Sequence, residues 1–253
     1  MARFEACLLD YGNTVIEFDR RQLNEVLAGL ARFLGERLRP VDLDELRAAT
    51  RRVTAVPFVA GADGSPPTYR ELSPHDFMVR LLEKVYGSEL EASPELVAEC
   101  DHALQETFLA SVSLDSGSSR SLAEIRGRCP VGLVSNYSCG RTLRRSLEAL
   151  GIAAIFDPVV ISGELGWVKP HPKAFRAALE LLGLPPEKVL FVGDRWDADM
   201  VGAMNVGMKT CHHVGFTTDR DYEERYLAYR PDYTIERLEE LLPIIADGSP
   251  PEE

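Results

Sequence analysis

Basic residues are scarce in this 253-residue chain, with 28 Lys and Arg against 40 Asp and Glu and a formal net charge of −12. Binding a polyanion requires phosphate neutralisation by Lys and Arg, so no nucleic-acid partner is expected. A small anionic ligand stays compatible with this balance, because a local basic pocket can exist on an acidic protein. Long apolar runs are also missing, and the first one meets Asp10 within a few residues. It reads as neither a signal peptide nor a membrane span, so no membrane partner is expected. The five cysteines (Cys7, Cys100, Cys129, Cys139 and Cys211) are odd in number and widely spaced, with no CxxC or Cys/His ligand spacing. That pattern supports neither a disulfide framework nor a zinc site, and a reducing cytoplasm is the expected compartment. His212 and His213 are adjacent, and neighbours on a strand point to opposite faces, which argues against one shared metal.

What is present is an ordinary globular composition, 45% hydrophobic and 27% charged. The length suits one large domain, or one of typical size carrying a smaller insertion. Phe4 to Leu9 is short and apolar and predicts a buried strand. From Arg21 the period becomes helical, with Leu23, Val26, Leu27, Leu30, Phe33 and Leu34 on one face. Leu43 and Leu46 suggest a second helix, and Phe77, Leu81, Leu82 and Val85 a third. Ser93-Pro94-Glu95 reads as an N-cap and a first-turn proline opening a fourth. Gly61 to Pro67 reads as an exposed loop.

Beyond a Gly/Ser-rich segment, Asp115 to Ser119, helices and strands alternate, beginning with a helix over Leu122–Arg126. Strands are predicted over Val131–Val134, Pro158–Ile161, Val189–Val192 and Met208–Val214, with a last one over Asp232–Ile235. Alternation of this kind implies a parallel sheet covered on both faces. The expected fold is therefore α/β, a Rossmann-like parallel-sheet core (1–16 and 114–247) interrupted by a helical insertion (17–113). A disordered tail is expected over 248–253.

In open α/β sheets, ligands lie beyond the carboxyl ends of the strands. Those ends carry Asp10-Tyr11-Gly12-Asn13-Thr14-Val15, then Ser135-Asn136, then Gly166-Trp167-Val168-Lys169-Pro170-His171-Pro172, then Gly193-Asp194-Arg195-Trp196-Asp197-Ala198-Asp199. Taken singly, each has a plainer explanation. A strand-end Asp terminates a strand, Ser-Asn caps a helix, and first-turn acids favour the helix dipole. Their joint occurrence, in order, at successive strand ends points to a site.

Together the four segments resemble the signature motifs of the haloacid dehalogenase superfamily, and the resemblance covers nearly the whole chain. It implies Asp10 as the nucleophile of a phosphatase acting on a small phosphorylated metabolite by way of an aspartyl-phosphate. It also implies Mg2+ bound by Asp10, Asp194, Asp199 and the backbone carbonyl of Gly12, because magnesium is an oxygen-seeking ion. Asp199, and Asp197 with it, would hold metal-bound waters or orient Arg195. Lys169 would offset charge on Asp10 and on the transferring group. Ser135, with N–H groups near Asn136 at a helix N-terminus, would hold phosphoryl oxygens.

One position departs from that pattern. Phosphatases of the superfamily usually carry a second Asp two residues after the nucleophile as general acid/base, and here that residue is Gly12. A positioned acid/base is worth ~10²–10⁴ in rate. A tight turn is one explanation for the glycine. The others are a substrate with a good leaving group, such as a sugar 1-phosphate, substitution by His171, Asp19 or a residue of the insertion, and loss of hydrolysis leaving a phospho-ligand-binding protein. The rival enzyme class is a 2-haloacid dehalogenase, whose members lack the fourth-motif acids. Tyr69, Arg70, His75 and Arg80 are polar candidates from the insertion, and Trp167 and Trp196 candidates for lining the pocket.

Overall fold

The computed structural model describes residues 3–87, 90–216 and 228–249. Six parallel strands form one sheet in the order β3-β2-β1-β4-β5-β6. These are β1 (Ala6–Leu9), β2 (Val131–Ser135), β3 (Phe156–Ile161), β4 (Val189–Gly193), β5 (Lys209–His213) and β6 (Tyr233–Ile235). The period-two pattern of side chains divides each central strand between two faces. Cys7 and Leu9 of β1, with Leu190 and Val192 of β4, pack under α5 (Ser116–Arg126), α6 (Gly140–Ala149) and α10 (Leu241–Asp247). Ala6 and Leu8, with Val189 and Phe191, pack under α8 (Pro172–Leu182) and α9 (Val201–Asn205) on the other face. Because both faces are covered, β1 and β4 are buried along their whole length, as their unbroken apolar runs require.

Between β1 and α5 the chain builds four further α-helices. They are α1 (Arg20–Arg37), α2 (Leu43–Thr54), α3 (Pro74–Tyr86) and α4 (Pro94–Ser111). Their apolar stripes meet in a core of their own, centred on Leu27, Leu30, Leu34, Leu46, Met78 and Leu81. Each helix begins on a short polar side chain that accepts from orphan N–H groups. Asp19 closes a capping box with Gln22, Asp42 serves α2, Ser73 serves α3, and Ser93 precedes Pro94 as expected.

Two expectations change. The helix expected over Leu122–Arg126 begins at Ser116, because Asp115 accepts from the N–H groups of Gly117 and Ser118 and makes the Gly/Ser-rich stretch the first turn of α5. The helix expected from about Asp199 begins earlier, as a π-helical turn over Trp196–Met200 that runs into α9. Of the expected tail, Gly248 caps α10 with φ 81°, and residues 250–253 lie outside the described residues. Among the described residues no helix is long and apolar enough to cross a membrane, and all five cysteines are free thiols.

Candidate active site

Asp10 is the first residue past β1, and its N–H still donates to the carbonyl of Val192 on β4 at 2.9 Å. The ladder thus fixes the backbone just where the carboxylate leaves the sheet. Lys169 reaches it from the loop after α7 (Ser162–Leu165), with Nζ 2.6 Å from Asp10 Oδ1 and 2.7 Å from Asp199 Oδ1. Lys169 is only 2% exposed and Asp199 1%. A lysine so buried would lose its proton if left alone, but the two carboxylates outweigh burial and hold its pKa above the ordinary value.

The acids behave differently. Burial pushes Asp10 up to about 6, with the Lys169 charge opposing that rise and Asp199 adding to it. Asp194 rises to about 8, first through burial and then through repulsion by Asp10 and Asp199. Carboxylate oxygens of Asp10, Asp194 and Asp199 lie within 4.8 Å of one another. With all three carboxylates ionised, the one ammonium leaves two negative charges, which a divalent cation would balance. An all-oxygen donor set is what magnesium or calcium selects, so these residues fit the ion that the sequence implied.

Arg195 does not cancel that excess, because its guanidinium is paired to Asp197 through Nε at 2.9 Å and Nη2 at 2.6 Å. Its backbone N–H donates to Asp199 Oδ2 at 3.0 Å. The expected link between Arg195 and both acids is therefore present, with Asp197 on the guanidinium and Asp199 on the main chain.

Asn136 takes a different position from the one anticipated. Its side-chain amide brackets the backbone of Lys169, with Oδ1 accepting from Lys169 N at 2.7 Å and Nδ2 donating to Lys169 O at 3.0 Å. Of the N–H groups expected to face a ligand there, that of Tyr137 donates to Ser162 Oγ at 2.8 Å. The helix itself begins only at Gly140. Ser135, the last residue of β2, remains at the site.

A cavity of about 230 Å³ is lined by Asp10, Gly12, Ser135, Asn136, Lys169, Asp194 and Asp199, so every expected site residue borders one space. A second cavity of about 560 Å³ adjoins it, between the helical insertion and the core. Phe18, Phe108, Asn136, Tyr137 and Arg195 line both.

Gly12 serves no turn. It is Asn13 that takes the left-handed conformation, at φ 55°, while Gly12 has no positive φ. A Cβ on Gly12 would meet only Phe18 Cβ, at 3.9 Å, which is ordinary van der Waals contact. The tight-turn explanation is therefore corrected.

Neither proposed substitute lines either cavity. Asp19 is engaged in capping α1. His171 caps α8 through Nδ1 and stacks on Trp167 with ring centroids 3.9 Å apart. The two tyrosines nearby are committed as well. Tyr11 Oη bonds Ser146 Oγ at 2.7 Å, and burial pushes its pKa up to about 12. Tyr137 Oη donates to Gln105 at 2.9 Å and is pushed up by burial too.

The remaining candidates divide. Tyr69 and Arg70 tie the insertion to the lysine loop, with Val168 N–H donating to Tyr69 O at 3.0 Å and Glu71 N–H to Gly166 O at 3.3 Å. The Arg70 guanidinium lies 3.8 Å from the Trp167 ring centroid. His75 and Arg80 are exposed and border neither cavity. Trp196 packs its ring edge-on against His212.

Sequence reasoning passed over His212. Its buried imidazole, its pKa lowered by burial, donates from Nε2 to the carbonyl of Asp194 at 2.8 Å and anchors that acid from below. His213 points to the opposite face, toward Phe216, and burial lowers it to about 4.

Comparison with known proteins places these features in a family. The model of the haloacid dehalogenase-like hydrolases matches residues 4–207. The pyrophosphatase PpaX of Bacillus cereus is 38% identical over 117 residues, covering 46% of this chain and 52% of the relative. The chain thus spans about half the length of the curated relatives it matches. Among solved structures, the 2-haloacid dehalogenase of Pseudomonas syringae pv. Tomato superposes with a TM-score of 0.71 at 20% identity, covering 96% of this chain and 97% of that one. The putative hydrolase YfnB of Bacillus subtilis, solved with magnesium, gives 0.67 at 22%, covering 96% and 99%. At such identities these two likenesses are likenesses of fold.

Proposed function

The chain belongs to the haloacid dehalogenase-like hydrolase family, and from that premise we propose a magnesium-dependent phosphatase that hydrolyses small phosphate monoesters through Asp10. The observation that carries this reading is the excess of carboxylates over ammonium where Asp10, Asp194 and Asp199 meet Lys169. Attack on carbon by a carboxylate, as in a dehalogenase, has no use for such an excess.

In this reading Asp10 attacks phosphorus and water later frees phosphate from the aspartyl-phosphate. Lys169 holds charge on Asp10 and on the transferring oxygens, and Ser135 donates to a phosphoryl oxygen. Asn136 acts one step back by fixing the main chain of Lys169. Asp10, Asp194, Asp199 and the carbonyl of Gly12 would hold the magnesium ion. When bound, it supplies the positive charge that lets a carboxylate approach a dianionic ester. Residues 17–113 form the cap over a core of 1–16 and 114–247. A closing cap excludes water and contributes specificity. Cytoplasmic location belongs to the same proposal.

With Gly12 in the place of the usual general acid, the favoured esters are those whose leaving group departs with little protonation. The test is hydrolysis of 4-nitrophenyl phosphate with magnesium, repeated with EDTA and with Asp10→Asn. Loss of turnover in both controls supports the reading. Halide release from a 2-haloacid that survives EDTA would replace it with dehalogenation. Ligand-induced heat protection without any turnover would leave a binding protein.

A further inference from the structure

We propose that the esters taken by this site are aryl phosphates, with the ring seated in the larger cavity; the proposal deepens the phosphatase reading and rests on it. The cavity, about 560 Å³, has the size of a small-molecule pocket. Its walls are apolar where the insertion faces the core, including Leu23, Val26, Leu27, Leu72, Phe77 and Leu81. The passage to the carboxylates is itself aromatic. Phe18 and Phe108 lie with centroids 5.3 Å apart, and Phe108 and Tyr137 4.8 Å apart. All three rings border both cavities, and an aryl group lying against this packed cluster would find the offset and edge contacts that rings prefer.

A sugar would fare worse in the same space. The polar groups that line it are largely engaged with one another. Gln105 accepts from Tyr137 and donates to Asp101, and Thr50 and Thr54 donate to helix carbonyls. Glu71 accepts from Ser162 and from Leu72 N–H, and Asp197 is taken by Arg195. Exposed Arg51, half-buried Ser138 and those donors of the Arg195 guanidinium beyond its two bonds to Asp197 are the polar liners left to meet a sugar hydroxyl. Hydroxyl groups brought in from water would lose hydrogen bonds and regain few.

The chemistry points the same way. Among the described liners of the smaller cavity, the acids are those of the metal cluster and the phenols are bonded. Asp10 forms the new P–O bond, and the P–O(aryl) electron pair departs on the phenolate oxygen, which takes its proton from water. Water then adds to phosphorus, releasing hydrogen phosphate and restoring the Asp10 carboxylate. A phenol ionises near pH ~10, whereas an alkoxide is about as basic as hydroxide, whose acid has a pKa of ~15.7. The phenolate therefore leaves without the help that an alkoxide needs.

The experiment crosses the two variables in the intact chain with magnesium, using 2-naphthyl phosphate, glucose 1-phosphate, octyl phosphate and acetyl phosphate. Binding of 2-naphthylphosphonate is followed by calorimetry. The expected kcat/KM for 2-naphthyl phosphate exceeds that for glucose 1-phosphate by at least ~100-fold. Octyl phosphate should share its KM within ~10-fold but fall at least ~10²-fold behind in kcat. Leu72→Ser should lower the kcat/KM ratio of 2-naphthyl to acetyl phosphate at least ~10-fold. Glucose 1-phosphate turned over as fast as 2-naphthyl phosphate overturns the aryl assignment and leaves the phosphatase standing. Turnover of no ester, with the phosphonate bound, removes the phosphatase and keeps the aryl cavity. Absence of both removes the two together.

Discussion

Replacing Gly12 by Asp puts a carboxyl group two residues past Asp10, on the wall of the cavity that Asp10 lines. The backbone admits it. Gly12 has no positive φ, and the added Cβ meets only Phe18 Cβ at 3.9 Å. Loss of a glycine at a permissive position stabilises by about 0.4–1 kcal/mol through the unfolded chain, which offsets part of the repulsion from the neighbouring acids. Those same acids favour the protonated form of the introduced carboxyl near neutrality, the state in which it can donate to a departing alkoxide. General acid catalysis is worth ~10²–10⁴ in rate, or about 3–5 kcal/mol of barrier. Gly12→Asp should therefore raise kcat on octyl phosphate by ~10²-fold or more. On 2-naphthyl phosphate the change should stay within ~10-fold, since a phenolate leaves unaided. The assay is phosphate release under saturating magnesium, with the melting temperature as a check on folding. An equal gain on both esters, or none on the alkyl ester by a folded, magnesium-binding variant, would refute the reasoning.

Asp10→Asn should abolish turnover and, in EDTA at pH 8, raise the melting temperature, because it removes one of three mutually repelling carboxylates. A lower melting temperature would contradict the charge reading. Asn136→Ala removes two hydrogen bonds to the Lys169 backbone, each worth about 0.5–1.5 kcal/mol. A displaced lysine should cost ~10–10²-fold in kcat with the melting temperature lowered by several degrees, and an unchanged kcat would deny Asn136 a positioning role. The pH dependence follows from acids raised above their ordinary value of 3.8, Asp10 to about 6 and Asp194 to about 8. The folded state favours their protonated forms, so that stabilisation is complete below the unfolded value and is lost as pH rises through about 8. The ion-free protein should melt lower at pH 8 than at pH 6. Magnesium affinity should rise over the same interval, because binding displaces protons, and titrations showing the reverse would count against the site.

The sheet and its motifs were legible because their signals are local. An apolar run ending in Asp10, or Ser93-Pro94 opening α4, needs no distant partner to be understood. Composition misled at the start of α5, where the glycine and serines after Asp115 set the expected helix back to Leu122 and a single N-capping aspartate opens it at Ser116. The candidate site was readable as a set of residue types and less so as an arrangement. Asn136 grips the main chain of a residue 33 positions away, and His212 holds Asp194 from the neighbouring strand. The larger cavity was beyond sequence reading, since Leu27, Leu81 and Phe108 read as helix stripes and only tertiary packing sets their edges around a space.

The hydrogen bonds from Val168 to Tyr69 and from Glu71 to Gly166 join the helical insertion to the segment that bears Lys169. An occupant too bulky for the insertion to settle over it would pull on those bonds, and the strain would arrive one residue from the lysine that is paired to Asp10. Size exclusion and charge placement are in that sense one property of the molecule. A misfit ligand meets both a poor enclosure and a weakened cation.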